Sequence, residues 1–286
     1  VMRAIILQFG HQFDAAQADL EAALREDPAN GEAWAWRAAI SMVQAKYADA
    51  RAACQPLSQH ASPLIGTACV AYVDSVTGQA GAAAQAIRDA LRRHASASAP
   101  EQLWALTRLA EIEERLGHEA QAEEAYRRGL GLGLVDGYLL AAYADFLLDR
   151  GRAAEVLTLL KDGGRSDLLL LRLALAAKAL NAPPLAGWQH DLAARFEAAR
   201  LRGDTLHQKE EARFALALQG QPQKALALAA ENYRLQREPA DARVLLEAAV
   251  AAKQPAAAEP VLAWMAASRI ESVALGTLAQ KLKGGR

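Results

Sequence analysis

The sequence is short of cysteine, of net charge and of long apolar runs, and each shortage excludes something. Two cysteines, Cys54 and Cys69, are too few for a disulfide-built small domain or a four-thiolate zinc site. A formal net charge of −1, from 32 Lys and Arg against 33 Asp and Glu, lacks the clustered positive charge on which nucleic-acid binding depends. Basic pairs occur at Arg92-Arg93 and Arg127-Arg128, but acids or an interruption lie beside each, and they read as solvated helix faces. The longest apolar stretch, "LLLLRLALAAKAL" (168–180), carries Arg172 and Lys178 and falls short of the ~20 residues of a membrane span, so no membrane insertion is expected. Runs of β-branched residues are nearly absent, which counts against sheet. No signal peptide is visible. The opening "VMRAIILQFG" already reads as helix interior, so a segment upstream of it is expected.

Catalytic and cofactor patterns are missing as well. The six histidines stand at 11, 60, 94, 118, 190 and 207, with no HExxH and no paired Cys–His spacing, so neither a catalytic constellation nor a metal site is expected. "GLGLG" (129–133) has the glycine spacing of a phosphate-cradling loop. It follows a helical pattern rather than a strand, and no βαβ unit surrounds it, so no cofactor is expected and it reads as a helix end with a permissive loop.

What is present is alanine, leucine, glutamate and arginine, which favour helix throughout. A period runs through them. The residues that open the second helix of each expected pair are Ala16, Ala50, Ala83, Ala122, Val156, Leu192, Ala225 and Glu259, at intervals of 34, 33, 39, 34, 36, 33 and 34. Turn markers keep the same step: Gly10, Ala45, Gly78, Gly117, Gly151, Gly187, Gly220 and Gln254. The one long interval falls on "HASASAP" (94–100), a Ser/Ala-rich loop extension. Small residues let two helices approach closely, while Leu20, Ile87, Tyr126, Leu160 and Phe196 fill the layer to the next pair.

The best-formed unit is 103–132, with Leu106, Leu109, Ala110 and Glu113 on one helix, a break at Gly117, and Ala122, Tyr126 and Leu130 on the next. The stretch "FDAAQADLEAALREDP" (13–28) repeats the second half with Ala16, Leu20, Ala23, Leu24 and a closing Pro28, and Trp34 and Tyr47 follow as bulky anchors. This pattern resembles the tetratricopeptide repeat family over the whole chain, most clearly in residues 1–160. It is weaker at 161–205, where "NAPPLAGW" (181–188) makes an irregular turn, and after 250, where Pro260 and Glu259 depart from it. The resemblance implies a single all-α domain over 1–286: a right-handed superhelical solenoid of about eight antiparallel helix pairs. The expected pairs are 1–30, 31–62, 63–99, 100–135, 136–166, 167–203, 204–239 and 240–270, with a capping helix at 271–283. It also implies a concave groove lined by the first helix of each pair.

Aligned on the repeat, Tyr72, Trp104, Thr107, Glu111, Arg115, Tyr138 and Asp145 fall on or near that groove. For Trp104 and Tyr138 the sequence leaves exposure and core burial both open. In "HQKEEARFAL" (207–216), Ala212 and Leu216 are expected in the packing layer, and His207, Glu210 and Phe214 on the groove side. A His and a Glu one turn apart supply too few ligands for a metal, so the choice lies between a binding wall and a solvated helix start. With Glu111, Glu114, Asp145, Asp149 and Glu210 the groove would lean acidic, which favours an extended peptide carrying Lys or Arg.

Cys54 and Cys69 are almost equidistant from the turn at "SQHASP" (58–63), so an antiparallel hairpin would hold them at the same height. Both alternatives remain open: a disulfide, which would indicate an exported, periplasmic-type compartment, or two small buried hydrophobes. The function expected is that of a non-enzymatic, bacterial-type scaffold binding a protein or peptide. The alternative is a ligand-sensing helical array belonging to a larger regulatory protein.

Overall fold

The computed structural model describes residues 1–204 and 206–284. The chain is all-helical, with 78% of its residues in helix and no β-strand among the described residues. The first half of the chain comprises α1 (Met2–Phe9), α2 (Phe13–Glu26), α3 (Gly31–Val43), α4 (Tyr47–Cys54), α5 (Leu57–His60), α6 (Pro63–Ser75), α7 (Ala80–Arg93), α8 (Ala99–Leu116) and α9 (Glu119–Leu130). The rest comprises α10 (Gly137–Asp149), α11 (Ala153–Leu159), α12 (Asp167–Leu180), α13 (Leu185–Leu201), α14 (Gln208–Ala217), α15 (Pro222–Leu235), α16 (Pro239–Ala251), α17 (Glu259–Ser268) and α18 (Val273–Gly284). Among the described residues no helix is long and apolar enough to cross a membrane.

These helices begin where the sequence supplies caps. Asn30 accepts a hydrogen bond from the Ala33 N–H at 2.9 Å, and Asp136 accepts one from the Leu139 N–H at 2.7 Å, each satisfying a donor that the first helical turn leaves free. Ser98 closes the 94–98 loop with a capping box: its N–H donates to Glu101 Oε2 at 2.9 Å. The one longer repeat interval is taken up by α8 itself, 18 residues long against 13 in α3, α6 and α10, and not by the loop before it.

The helices end in one recurring turn. The eight turns that follow α1, α3, α6, α8, α10, α12, α14 and α16 each contain one residue at positive φ: His11, Ala45, Gly78, Gly117, Gly151, Asn181, Gly220 and Lys253. At seven of them the next N–H reaches back to a carbonyl five residues earlier, as in Gln12–Leu7, Lys46–Ser41, His118–Glu113, Arg152–Leu147 and Gln254–Ala249. That is the Schellman closure of a helix C-terminus. Three turn markers read from the sequence shift accordingly. Gly10 has φ −83° and the left-handed residue is His11. Gly187 lies inside α13, and Asn181 makes the turn. Lys253 takes the place of Gln254. A single left-handed residue is tolerated with a side chain when the closing bonds are made, so glycine alone does not mark these turns.

Ala16, Ala50, Ala122, Val156, Leu192 and Ala225 are all at 0% exposure and Ala83 at 3%, the burial that a close helix contact demands. The eighth position is a correction. Glu259 is exposed, and Ala258, at 0%, occupies the buried place one residue earlier, as a charged residue could do only at a desolvation cost.

The chain divides into two compact units. Unit 1 is Val1–Leu134, Tyr233–Ala242 and Pro260–Thr277; unit 2 is Val135–Asn232, Arg243–Glu259 and the residues from Leu278. In unit 1, Cys54 and Cys69 are joined by a disulfide with Cα atoms 5.4 Å apart, tying α4 to α6. The short α5 sits tightly against α6, since a Cβ on Gly66 would lie 2.5 Å from the Ser58 nitrogen and 2.7 Å from its Cα.

Candidate functional site

Unit 1 is not built from neighbouring hairpins alone. Its two later segments lie along the turns of the early hairpins. Gln236 Nε2 is 2.9 Å from His11 Nε2 at the α1–α2 turn, and the Arg237 N–H donates to the Val43 carbonyl at 2.7 Å at the end of α3. Trp264 Nε1 donates to Tyr47 Oη at 2.8 Å beside the α3–α4 turn. Arg269 packs on Gly78, where an added Cβ would meet its Cβ at 3.2 Å. Glu271 Oε2 accepts from the Ala80 N–H at 2.6 Å and so caps α7. Val273 reaches the α8–α9 turn, 3.3 Å from where a Cβ of Gly117 would be.

A cavity of about 690 Å³ opens inside this arrangement. Tyr47, Tyr233 and Trp264 form its aromatic wall, Thr77 and Ser268 lie beside them, and Arg237 and Arg269 stand at its exposed rim. Tyr233 and Trp264 meet edge to face, with ring centroids 6.4 Å apart. Burial pushes the Tyr47 hydroxyl up to about 12, against the opposing hydrogen bond from Trp264. Burial likewise raises Tyr233, with the field of Arg237 opposing it. Both phenols are therefore neutral near neutral pH.

Unit 2 holds a different arrangement, an ion network. Asp145 on α10 receives Arg172 Nη2 at 2.6 Å and both terminal nitrogens of Arg213 at 2.9 Å. One turn along, Asp149 takes Arg243 Nη2 at 2.7 Å, and Arg243 Nε also donates to Glu247 at 2.7 Å. Burial alone would raise the Asp145 carboxyl, but Arg172 and Arg213 outweigh it and hold it well below the usual carboxylate range. Glu211, 5% exposed, is met by Lys224 at 3.0 Å and Arg200 at 3.4 Å.

The expected groove residues divide between these two units. In unit 1, Tyr72 is 8% exposed with the Arg108 guanidinium 4.7 Å above its ring. Thr107 is buried and donates to its own helix at Leu103 O, 2.8 Å away. Glu111 pairs with Arg108 at 2.9 Å, Arg115 donates to Ser75 Oγ at 2.6 Å, and Trp104 is half-buried. In unit 2, Tyr138 is 46% exposed, Asp145 is engaged as above, and His207 is exposed as the N-cap residue of α14 with no side-chain cap bond.

Two residues of the "HQKEEARFAL" stripe differ from expectation. Phe214 is 2% exposed and packs with Leu170, Leu171, Leu192 and Phe196, with the Phe196 ring centroid 5.5 Å away. It is core and not a partly exposed anchor. Glu210 is buried at 7%. The reason is rotational: α14 buries Glu211, Ala212, Phe214 and Ala215, so its packing side is wider than the single stripe through Ala212 and Leu216. Among the described residues no group of three or more His, Cys, Asp or Glu is placed to hold a metal.

Of the residues lining the cavity, the sequence drew attention to Ala45 as a turn marker, Tyr47 as an anchor and Pro260 as a departure from the repeat, and to none of them as part of a site. Tyr47 and Trp264 are 217 positions apart, and Ala80 and Glu271 are 191 apart. No local period links such residues. The acids read as groove charge were visible as residue types. The partner of Glu111 lies three residues back on the same helix, but the arginine partners of Asp145 and Asp149 lie one or more helices away. The sequence matches no protein-family model and no curated protein.

Proposed function

We propose that this chain is a tetratricopeptide-like scaffold: a right-handed helical-repeat solenoid that binds a protein or peptide partner and has no enzymatic role. The observation that carries the reading is repetition. Eight successive inter-helix turns share a left-handed residue, and at seven of them the helix that follows carries a buried small or aliphatic residue at the repeat position. Units stacked in this way build extended surface for recognition.

Tyr138 and Trp104, each within its own unit, are the aromatic contacts assigned to the partner, because Tyr138 is exposed and Trp104 half-buried. The carboxylates that suggested a basic peptide are engaged within the chain, Glu111 by Arg108 and Asp145 by Arg172 and Arg213, so a basic partner is no longer part of the proposal. The Cys54–Cys69 bond supports an oxidising compartment.

Affinity capture with the whole chain, followed by binding of the purified partner, tests this reading. A partner whose affinity falls about ten-fold or more with Tyr138→Ala or Trp104→Ala, at unchanged melting temperature, is the expected result. Absence of any partner, together with turnover of a small substrate, would overturn it.

A further inference from the structure

The cavity of unit 1 has a chemistry that the scaffold reading does not use. Its volume, about 690 Å³, lies in the range of small-molecule sites rather than of packing defects. Its wall is aromatic, with Tyr233 at 4% exposure and Trp264 at 9%. The indole N–H of Trp264 is already committed to Tyr47, so these two rings are fixed relative to each other.

Two polar features of the wall are unsatisfied. The Tyr233 hydroxyl and Ser268 Oγ are buried and have no hydrogen-bond partner among the described residues, which is uncommon for buried polar atoms. Charge is the second feature. No carboxylate lines the cavity, while two guanidiniums, Arg237 and Arg269, do. No ion pair of Arg237 or Arg269 is found among the described residues, so both charges face the opening without a carboxylate partner. An aromatic wall by itself would also suit an organic cation, but two guanidiniums lining the same cavity oppose one.

We propose that this cavity binds an amphipathic organic anion, with a flat apolar body against Tyr47, Tyr233 and Trp264 and a single oxyanion head held by Arg237 and Arg269. A carboxylate and a sulfonate fit the head position equally, because a guanidinium pairs with the oxygens of either. The site lies wholly within unit 1 and does not depend on any protein partner of the scaffold.

Three probes of one shape separate the contributions: 2-naphthoate, 2-naphthylmethanol and 2-naphthylmethylammonium, titrated into the whole oxidised chain. The readout is the Trp264 indole N–H resonance, assigned with Trp264→Phe, alongside calorimetry. Naphthoate is expected to shift that resonance saturably and to bind roughly five-fold or more tightly than the alcohol, with the ammonium weakest. The double variant Arg237→Gln/Arg269→Gln is expected to bind the alcohol as before and to lose the preference for the anion. Ala267→Trp, which fills the open side of the cavity, is expected to abolish binding of all three at an unchanged melting temperature. A Trp264 resonance that none of the probes moves overturns the proposal. So does equal affinity for the three, or an anion preference that survives in the double variant. A chain that takes naphthoate but captures no protein would remove the scaffold reading and leave this site standing.

Discussion

Phe214 fills the junction of α12, α13 and α14, at 2% exposure among Leu170, Leu171, Leu192, Phe196 and Leu218. Phe214→Ala should therefore lower stability by roughly 3–5 kcal/mol, read from the urea midpoint. A loss well under 1 kcal/mol would return the ring to the surface. The spacing rule placed Ala212 correctly and Phe214 on the opposite side, because a helix packed on more than one face has no single apolar stripe to read. Small residues were easier to place. Close approach also fixes Gly66, where a methyl would overlap the Ser58 backbone, at 2.5 Å from its nitrogen. Backbone does not yield as a side-chain tip does, so Gly66→Ala should destabilise by roughly 1–3 kcal/mol in a thermal melt. Replacing Gly81, which has nothing within reach, is the matched control and should not destabilise.

At the scale of elements, hairpins were legible and their cross-links were not. Apolar period, Asn, Asp and Ser caps and turn residues are all local signals, so the order of helices could be read along the chain. Which arginine meets Asp145 depends on how α10, α12 and α14 pack, with partners 27 and 68 positions away. The network has a measurable consequence. Arg172 and Arg213 hold the folded Asp145 carboxyl below its unfolded value of about 3.9. A depressed folded value contributes stability above the unfolded one and loses it as pH falls through the range below it. The wild-type melting temperature should accordingly fall on acidification below about pH 4. Asp145→Asn should be less stable at neutral pH, on the order of 3 kcal/mol because two guanidiniums lose their counter-charge, and should show a shallower acid limb. Parallel acid limbs in the two proteins would deny the carboxylate this role. Another cross-link joins α4 to α6. It closes a loop of 15 residues, and Cys54→Ala/Cys69→Ala should cost about 3 kcal/mol, measured against the oxidised chain under non-reducing conditions.

At the scale of the molecule, a strictly one-dimensional repeat array makes a prediction that this chain should break. If each hairpin touched only its neighbours, exchange protection would decline toward both ends, and residues after 232 would open with the C-terminal end. Unit 1 instead includes Tyr233–Ala242 and Pro260–Thr277, anchored to the early hairpins through Gln236–His11, Trp264–Tyr47 and Glu271–Ala80. Native-state hydrogen exchange under low denaturant should therefore sort the amides by unit and not by position along the chain. Buried amides of Ala242 and of 261–268 should open with the same free energy as those of α6 to α8, while amides of Val244–Ala249 should open with α10 and α12. Glu271→Gln is the diagnostic variant. It keeps the side-chain shape but weakens the acceptor for the Ala80 N–H, so protection at Ala80 and over 261–268 should drop together, while Val244–Ala249 is untouched. Protection that instead decays smoothly from 232 to 284, with Ala80 unaffected by the substitution, would mean that the later segments open independently of the hairpins on which they pack.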